Sequence, residues 1–204
     1  MKKIEINLEK DENKINEFEF DFFYFLKQYS KSNINFSSDI INIYIDNKPY
    51  NFIKTDKIST TSTFYQYKNQ YLMKVTKDSS FLKHEIKVYE RLKNYPHFPK
   101  IIQHTNEYII FEHVGEILNP HNLPSDAFNQ IKMINKILTK ERIKHNDIRE
   151  NEILVKNGMI YLVDFNRAIL DSNENLEQNY YDLYHIIKKF HNLRNLFNKT
   201  IKKF

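Results

Sequence analysis

Lys74 interrupts the apolar run Tyr71-Leu72-Met73-Lys74-Val75, which reads as a β-strand. A side-chain period of two puts Leu72 and Lys74 on one face and Met73 on the other. A lysine there suits an edge strand whose ammonium reaches water, or a buried cation with a carboxylate partner. Glu85 is a candidate partner: it lies three to four residues from Phe81, Leu82, Val88 and Tyr89, inside the apolar stripe of the next segment. An inward carboxylate needs a cation, because an unpaired buried charge is strongly unfavourable. Together the two residues predict an ion pair between a strand and the helix that follows it.

A second constellation lies further along. Lys144-His145-Asn146-Asp147-Ile148-Arg149-Glu150-Asn151-Glu152 crowds ionisable groups just before the strand-like Ile153-Leu154-Val155. Asp164-Phe165-Asn166 then ends another apolar run, Ile160-Tyr161-Leu162-Val163. Two neighbouring strands thus carry a histidine, carboxylates and an arginine to adjacent loops. Such a set suits a hard divalent cation and a phosphate, since Mg²⁺ takes oxygen ligands and shares them with phosphate oxygens and water. A polar turn laced with salt bridges is the blander alternative.

The elements that must position these residues are legible from residue 54 onward. Strands are expected at Phe64–Tyr67 and Tyr71–Val75, then a helix carrying Phe81, Leu82, Val88, Tyr89 and Leu92, ended by Pro96. Two short strands follow, Ile101–His104 and Tyr108–Phe111. Pro124-Ser125 opens a second helix with Phe128, Ile131, Ile134, Ile137 and Leu138 on one face. Strands at Ile153–Val155 and Ile160–Val163 flank an Asn157-Gly158 turn, and a last helix carries Leu183, Ile186, Ile187 and Phe190. In the first 50 residues, Asp11 to Tyr29 fits a helix or, at Phe18–Phe22, a strand; Ile41–Ile45 and Tyr50–Ile53 suggest a hairpin.

Composition narrows the chemistry. The 204 residues are 41% hydrophobic and 28% charged, with 16 Phe and 14 Tyr, enough for a packed core. The net charge of +5 permits polyanion binding without demanding it. With no cysteine there is no disulfide, thiol nucleophile or cysteine-ligated zinc. Two glycines, Gly115 and Gly158, exclude a Walker-type phosphate loop and a dinucleotide fingerprint. Acidic residues follow Met1-Lys2-Lys3 where a signal peptide would be apolar, and no run approaches a membrane span. The expectation is a soluble cytoplasmic protein, in the host cytoplasm if the source is a virus or phage. The remaining histidines have no tight metal spacing and are expected to be structural. The basic end at Lys199, Lys202 and Lys203 supports nucleic-acid contact only weakly.

The order and spacing of these residues resemble the protein-kinase-like superfamily from Tyr71 to about Phe190. Lys74 resembles the strand lysine that holds the α- and β-phosphates, and Glu85 its helical partner. Tyr108-Ile109-Ile110-Phe111-Glu112-His113-Val114-Gly115 resembles the hinge between two lobes, His145-Asn146-Asp147 the catalytic H-x-D, and Asp164-Phe165-Asn166 the D-F-G, 17 residues beyond Asp147. Tyr181-Asp182-Leu183-Tyr184 resembles the helix whose aspartate braces the catalytic loop. The resemblance implies an α+β bilobal fold, with a small antiparallel N-lobe and a reduced, mainly helical C-lobe. The expected division is 1–53 as an N-terminal extension on or near the small lobe, 54–114 as the N-lobe and 115–204 as the C-lobe.

It further implies ATP and Mg²⁺ as cofactors. Asp147 would be the base, with Arg149 and Lys74 completing the catalytic set. Lys74, Glu85, Leu72, Glu112, Val114 and Leu154 would bind nucleotide, the two leucines sandwiching adenine. Asp164 and Glu152 would hold the metal, with Asn151 the alternative to Glu152. The sequence departs from the family in three ways. Ile58 to Thr63 stands in place of a glycine-rich loop, Glu152 replaces an asparagine, and Asn166 replaces a glycine in D-F-G. Asp182 lies only 18 residues beyond Asp164, too close for a long activation segment with A-P-E. That compactness resembles the small kinase of the KEOPS complex, whereas H-N-D is similar to choline kinases and aminoglycoside phosphotransferases. A minimal serine/threonine protein kinase acting on a protein substrate or partner leads; a pseudokinase-type binding module and a small-molecule phosphotransferase are the alternatives.

Overall fold

The computed structural model describes residues 39–56, 61–76 and 78–201. The expected helix or strand within 11–29 lies outside them, as do residues 58–60 of the stretch standing for the glycine-rich loop. The described chain is α+β. Strands β1 (Ile40–Ile45), β2 (Lys48–Lys54), β3 (Ser62–Tyr67), β4 (Tyr71–Thr76), β5 (Ile101–His104) and β6 (Tyr108–Glu112) form one antiparallel sheet in the order β1-β2-β3-β4-β6-β5. Helix α1 (Ser79–Leu92) follows β4 directly. After β6 come β7 (Glu116–Ile117), helix α2 (Ala127–Lys140), β8 (Ile153–Lys156), β9 (Met159–Leu162) and helix α3 (Gln178–Ile201), with β7-β8-β9 as a second small sheet.

Local chemistry accounts for the hairpins. Asp46 and Asn47, at φ 49° and 60°, turn β1 into β2, and Asn157 and Gly158, at 52° and 77°, turn β8 into β9. Paired positive φ values suit two-residue turns whose twist matches the strands, and Asn, Asp and Gly tolerate them best. The first hairpin starts and ends within two residues of the expected Ile41–Ile45 and Tyr50–Ile53, with Ile43 opposite Tyr50. Its second strand pairs with β3 through Ile53–Gln66 and Lys54–Tyr65, so residues 40–54 extend the same sheet.

Alternation along β6 divides the core. Tyr108 and Ile110 face a cluster with Ile43, Phe52, Tyr65, Met73 and Val75. Ile109 and Phe111 face the larger cluster, where Leu82, Val88 and Leu92 of α1 meet Ile131, Ile134 and Leu138 of α2 and Leu183 and Ile187 of α3. Helix α1 is capped by Asp78, which accepts the Ser80 N–H at 2.8 Å. One expected core residue is not in it: Phe81 is exposed. It sits in the first turn of α1, where a long side chain lies back over the helix start and short of the core. Among the described residues, no helix is long and apolar enough to cross a membrane.

Candidate active site

Strand β4 lies between β3 and β6, with Lys74 opposite Phe64 on one side and Ile109 on the other. An edge-strand lysine is therefore excluded, because both flanks of the strand are paired. The ammonium is almost wholly buried and meets two carboxylates: Glu85 Oε2 at 2.7 Å and Asp164 Oδ1 at 2.7 Å. Burial alone would lower its pKa, but the charges of Glu85 and Asp164 and their hydrogen bonds outweigh that and hold it above the ordinary lysine value. Lys74 stays charged, and it ties β4, α1 and the segment after β9 to one point.

Asp164 enters this contact in a left-handed conformation, φ 65° and ψ 65°, uncommon for a residue with a Cβ. Its backbone N–H donates to the Tyr89 hydroxyl at 3.2 Å. Tyr89, on the buried face of α1, is pushed well above the usual phenol pKa by burial first and then by Glu85 and Asp164, so it stays neutral. Its ring packs at 4.8 Å from Phe111 and 5.3 Å from Phe165, and Phe165 packs at 4.5 Å from His145. A continuous aromatic column thus runs from the large sheet to the H-N-D loop. Asn166, which stands where D-F-G has its glycine, lies in a short 3-10 turn, Phe165–Arg167, and the positive φ is carried by Asp164. The bend falls two residues earlier, just before Phe165, which is buried in the core.

The H-N-D loop is held from below. His145 is fully buried; its backbone N–H donates to Asn179 Oδ1 at 2.9 Å, and Asn179 Nδ2 donates to the Ile143 carbonyl at 2.9 Å. The brace expected at Asp182 is therefore Asn179, three residues earlier on α3; Asp182 accepts from Gln178 at 2.7 Å, and its charge acts on His145 from nearby. His145 Nε2 lies 3.0 Å from the Val163 carbonyl, which requires the proton on that nitrogen. Burial lowers its pKa, so the ring is neutral. It orients the loop and has no charge to contribute.

Asp147 stands half-buried at the loop's mouth. Its Oδ2 accepts from Arg149, and the Arg167 Nε lies 3.7 Å away. The Arg149 guanidinium is raised above its usual pKa by that hydrogen bond and by the charge of Asp147, with Glu152 and Asp164 adding to it. One arginine thus feels all three carboxylates. Glu152 is buried just before β8, across from Val163: its carbonyl accepts the Val163 N–H at 3.0 Å, and its Oε1 accepts Asn151 Nδ2 at 2.8 Å. The two residues considered for a metal are consequently hydrogen-bonded to each other.

The remaining expected residues lie on β4, β6, β8 and the segment after β6. Leu72 lies half-buried on β4, two residues from Lys74 and opposite Phe111; Leu154 lies half-buried on β8, opposite Tyr161 and Ile117. Glu112 exchanges contacts with Lys100, donating its N–H to that carbonyl at 3.0 Å and accepting the Lys100 N–H on Oε1 at 3.1 Å. Val114 is buried. Next to it, Gly115 takes φ 94° where a Cβ would stand 2.0 Å from the Val155 carbonyl oxygen, so only glycine lets the chain pass β8 this closely. Tyr89, Asn179 and Arg167 belong to this neighbourhood and were not expected from sequence; of the three only Arg167, adjacent to Asp164-Phe165-Asn166, had a local signal.

Among the described residues, no group of three or more His, Asp or Glu side chains is arranged to hold a metal ion alone. Asp164 and Glu152 do match the donors of Mg²⁺, which takes one or two carboxylates and completes its shell with phosphate oxygens and water. Neither a scan against protein-family models nor a search of curated proteins finds a match to the chain.

Proposed function

We propose that this chain is an ATP- and Mg²⁺-dependent phosphotransferase with a kinase-like, two-lobed arrangement, a minimal protein kinase acting on a hydroxyl. The reading is carried by one observation: a buried lysine on a central strand shared at 2.7 Å between a helix glutamate and the aspartate two residues beyond β9. The third, partly exposed member supports a phosphate site, where the cation must face both its anchor and the ligand.

On this reading Lys74, anchored by Glu85, holds the α- and β-phosphates, while Leu72 and Leu154 flank the adenine and backbone groups of Glu112 and Val114 meet its edge. Asp164 and Glu152 hold Mg²⁺, which neutralises charge on the phosphate oxygens when bound. Asp147 accepts the proton of the acceptor hydroxyl as its oxygen bonds to the γ-phosphorus and the bond to the β-phosphate oxygen breaks. Arg149 steadies the γ-phosphate. The positioning is done by Asn179 under the loop and Tyr89 behind Asp164.

The test is thermal shift with ATP, with and without Mg²⁺, followed by transfer from labelled ATP to the chain itself, to generic proteins and to small alcohols. Mg²⁺-dependent stabilisation with transfer to protein, lost in Asp147→Asn while nucleotide binding persists, is expected. A second reading, a nucleotide- or partner-binding module, is favoured by the burial of Glu152 against Asn151. Stabilisation without transfer to any acceptor selects it, and transfer to small alcohols alone selects a small-molecule phosphotransferase.

A further inference from the structure

Arg167 is not among the residues proposed to hold nucleotide, yet its side chain reaches Asp147. The backbone around it is pinned. Phe165 is buried, and the Ala168 N–H donates to the Phe165 carbonyl at 3.1 Å, while the Ala168 carbonyl lies 2.7 Å from His84 Nε2. Ile169 exchanges two backbone hydrogen bonds with Lys144, at 2.7 and 3.0 Å, next to the H-N-D loop. On this anchored stretch the Arg167 side chain remains 65% exposed, its Nε 3.7 Å from Asp147 Oδ2. The spacing is too long for a direct hydrogen bond, and exposed pairs of this kind are weakly held. A hydroxyl donating to the Asp147 carboxylate would compete with this weak contact and leave the guanidinium free for a new anion. Arg149, 58% exposed, stands on the same carboxylate oxygen. The short stretch between Asp164 and α3 contains no long segment that could supply other acceptor contacts there.

We propose that Arg167 is a specificity-determining residue that selects an acceptor hydroxyl flanked by carboxylates, an acidic protein segment. This rests on the phosphotransferase reading and names its substrate class. A planar, always-charged fork suits carboxylates, and two guanidiniums at the mouth repel a cationic acceptor. The approach to the base thereby discriminates against choline-like and aminoglycoside-like substrates.

The experiment measures fluorescence anisotropy of a labelled peptide with one serine between runs of glutamate. The full chain is titrated in the presence of a non-hydrolysable ATP analogue and Mg²⁺, and the same peptide with lysines in place of glutamates is the comparison. The glutamate peptide is expected to bind more tightly, with a preference that Arg167→Glu reduces by about tenfold and Arg167→Lys reduces less. Analogue affinity, measured separately, stays unchanged. Equal binding of the two peptides, an unchanged preference in Arg167→Glu, or preferential phosphorylation of choline would overturn the proposal. The binding preference is read without turnover, so absence of transfer in the wild type counts against the phosphotransferase reading alone.

Discussion

The Tyr89 hydroxyl and the Asp164 backbone N–H stand 3.2 Å apart, and through this contact helix α1 supports the left-handed residue that meets Lys74. Tyr89→Phe keeps the ring contacts with Phe111 and Phe165 and deletes only the acceptor. Leaving an N–H unsatisfied in this setting is expected to destabilise the fold by about 1–3 kcal/mol. On the proposed phosphotransferase reading, the Mg²⁺-dependent part of nucleotide stabilisation should fall further than the Mg²⁺-independent part. Denaturant midpoints and thermal shifts measure both, and equal losses would reduce Tyr89 to a packing residue.

Lys74→Ala removes the cation between two carboxylates, one of them buried Glu85. Breaking a buried pair from one side is expected to destabilise by ~3–5 kcal/mol. Adding Glu85→Leu should recover part of that loss, because the second substitution removes the charge stranded by the first. Urea denaturation of the two variants measures the recovery; a double variant less stable than Lys74→Ala would place the loss in packing.

His145 is held below its ordinary pKa of 6.5 by burial, so the unfolded chain binds a proton there more readily than the folded one. Its contribution to stability is present above about pH 6.5 and is lost as pH falls below that value towards the depressed folded pKa. His113, lowered by burial and by Lys156, acts in the same direction. Denaturant midpoints between pH 7.5 and pH 5 should therefore decline in the parent. The decline should flatten in His145→Gln and, to a smaller extent, in His113→Gln. An unchanged slope in His145→Gln would mean that the ring is not the titrating group.

The two glycines make a matched pair. Gly115→Ala must drive a Cβ into backbone at φ 94°, whereas Gly158→Ala, at φ 77°, meets no atom within 4 Å. The second is expected to destabilise by roughly 1–2 kcal/mol from conformation alone. The first should exceed it by several-fold and disturb the turn at Val114. Comparable midpoints for both variants would show that β8 yields.

Much of the frame was legible because it is written locally. Alternation marked the strands to within two residues, Asn157-Gly158 marked a turn, and the stripe around Leu82, Glu85 and Val88 marked α1. The Lys74–Glu85 pair was legible because two charges in apolar patterns need each other. Asn179 was not, because its partners Ile143 and His145 lie more than 30 residues away and nothing near it signals a brace. Tyr89 looked like core for the same reason: its ring obeys the helical stripe, and its hydroxyl reaches a backbone 75 residues distant. The family resemblance points to Asp182, which lies one turn of α3 beyond Asn179 and bonds Gln178 instead of the loop. Phe81 fitted the stripe by spacing, but the first turn of a helix overhangs its neighbour's edge.

The position of β4 inside the sheet carries a last implication. Met73 packs with Phe52 and Tyr65, while its neighbour Lys74 meets Glu85 on the opposite face. A one-residue slip against β3 or β6 would exchange the two, sending an ammonium among aromatic rings and a thioether towards two carboxylates. The charge therefore proofreads the strand alignment: a misthreaded sheet is rejected by the same amine that a correct one presents.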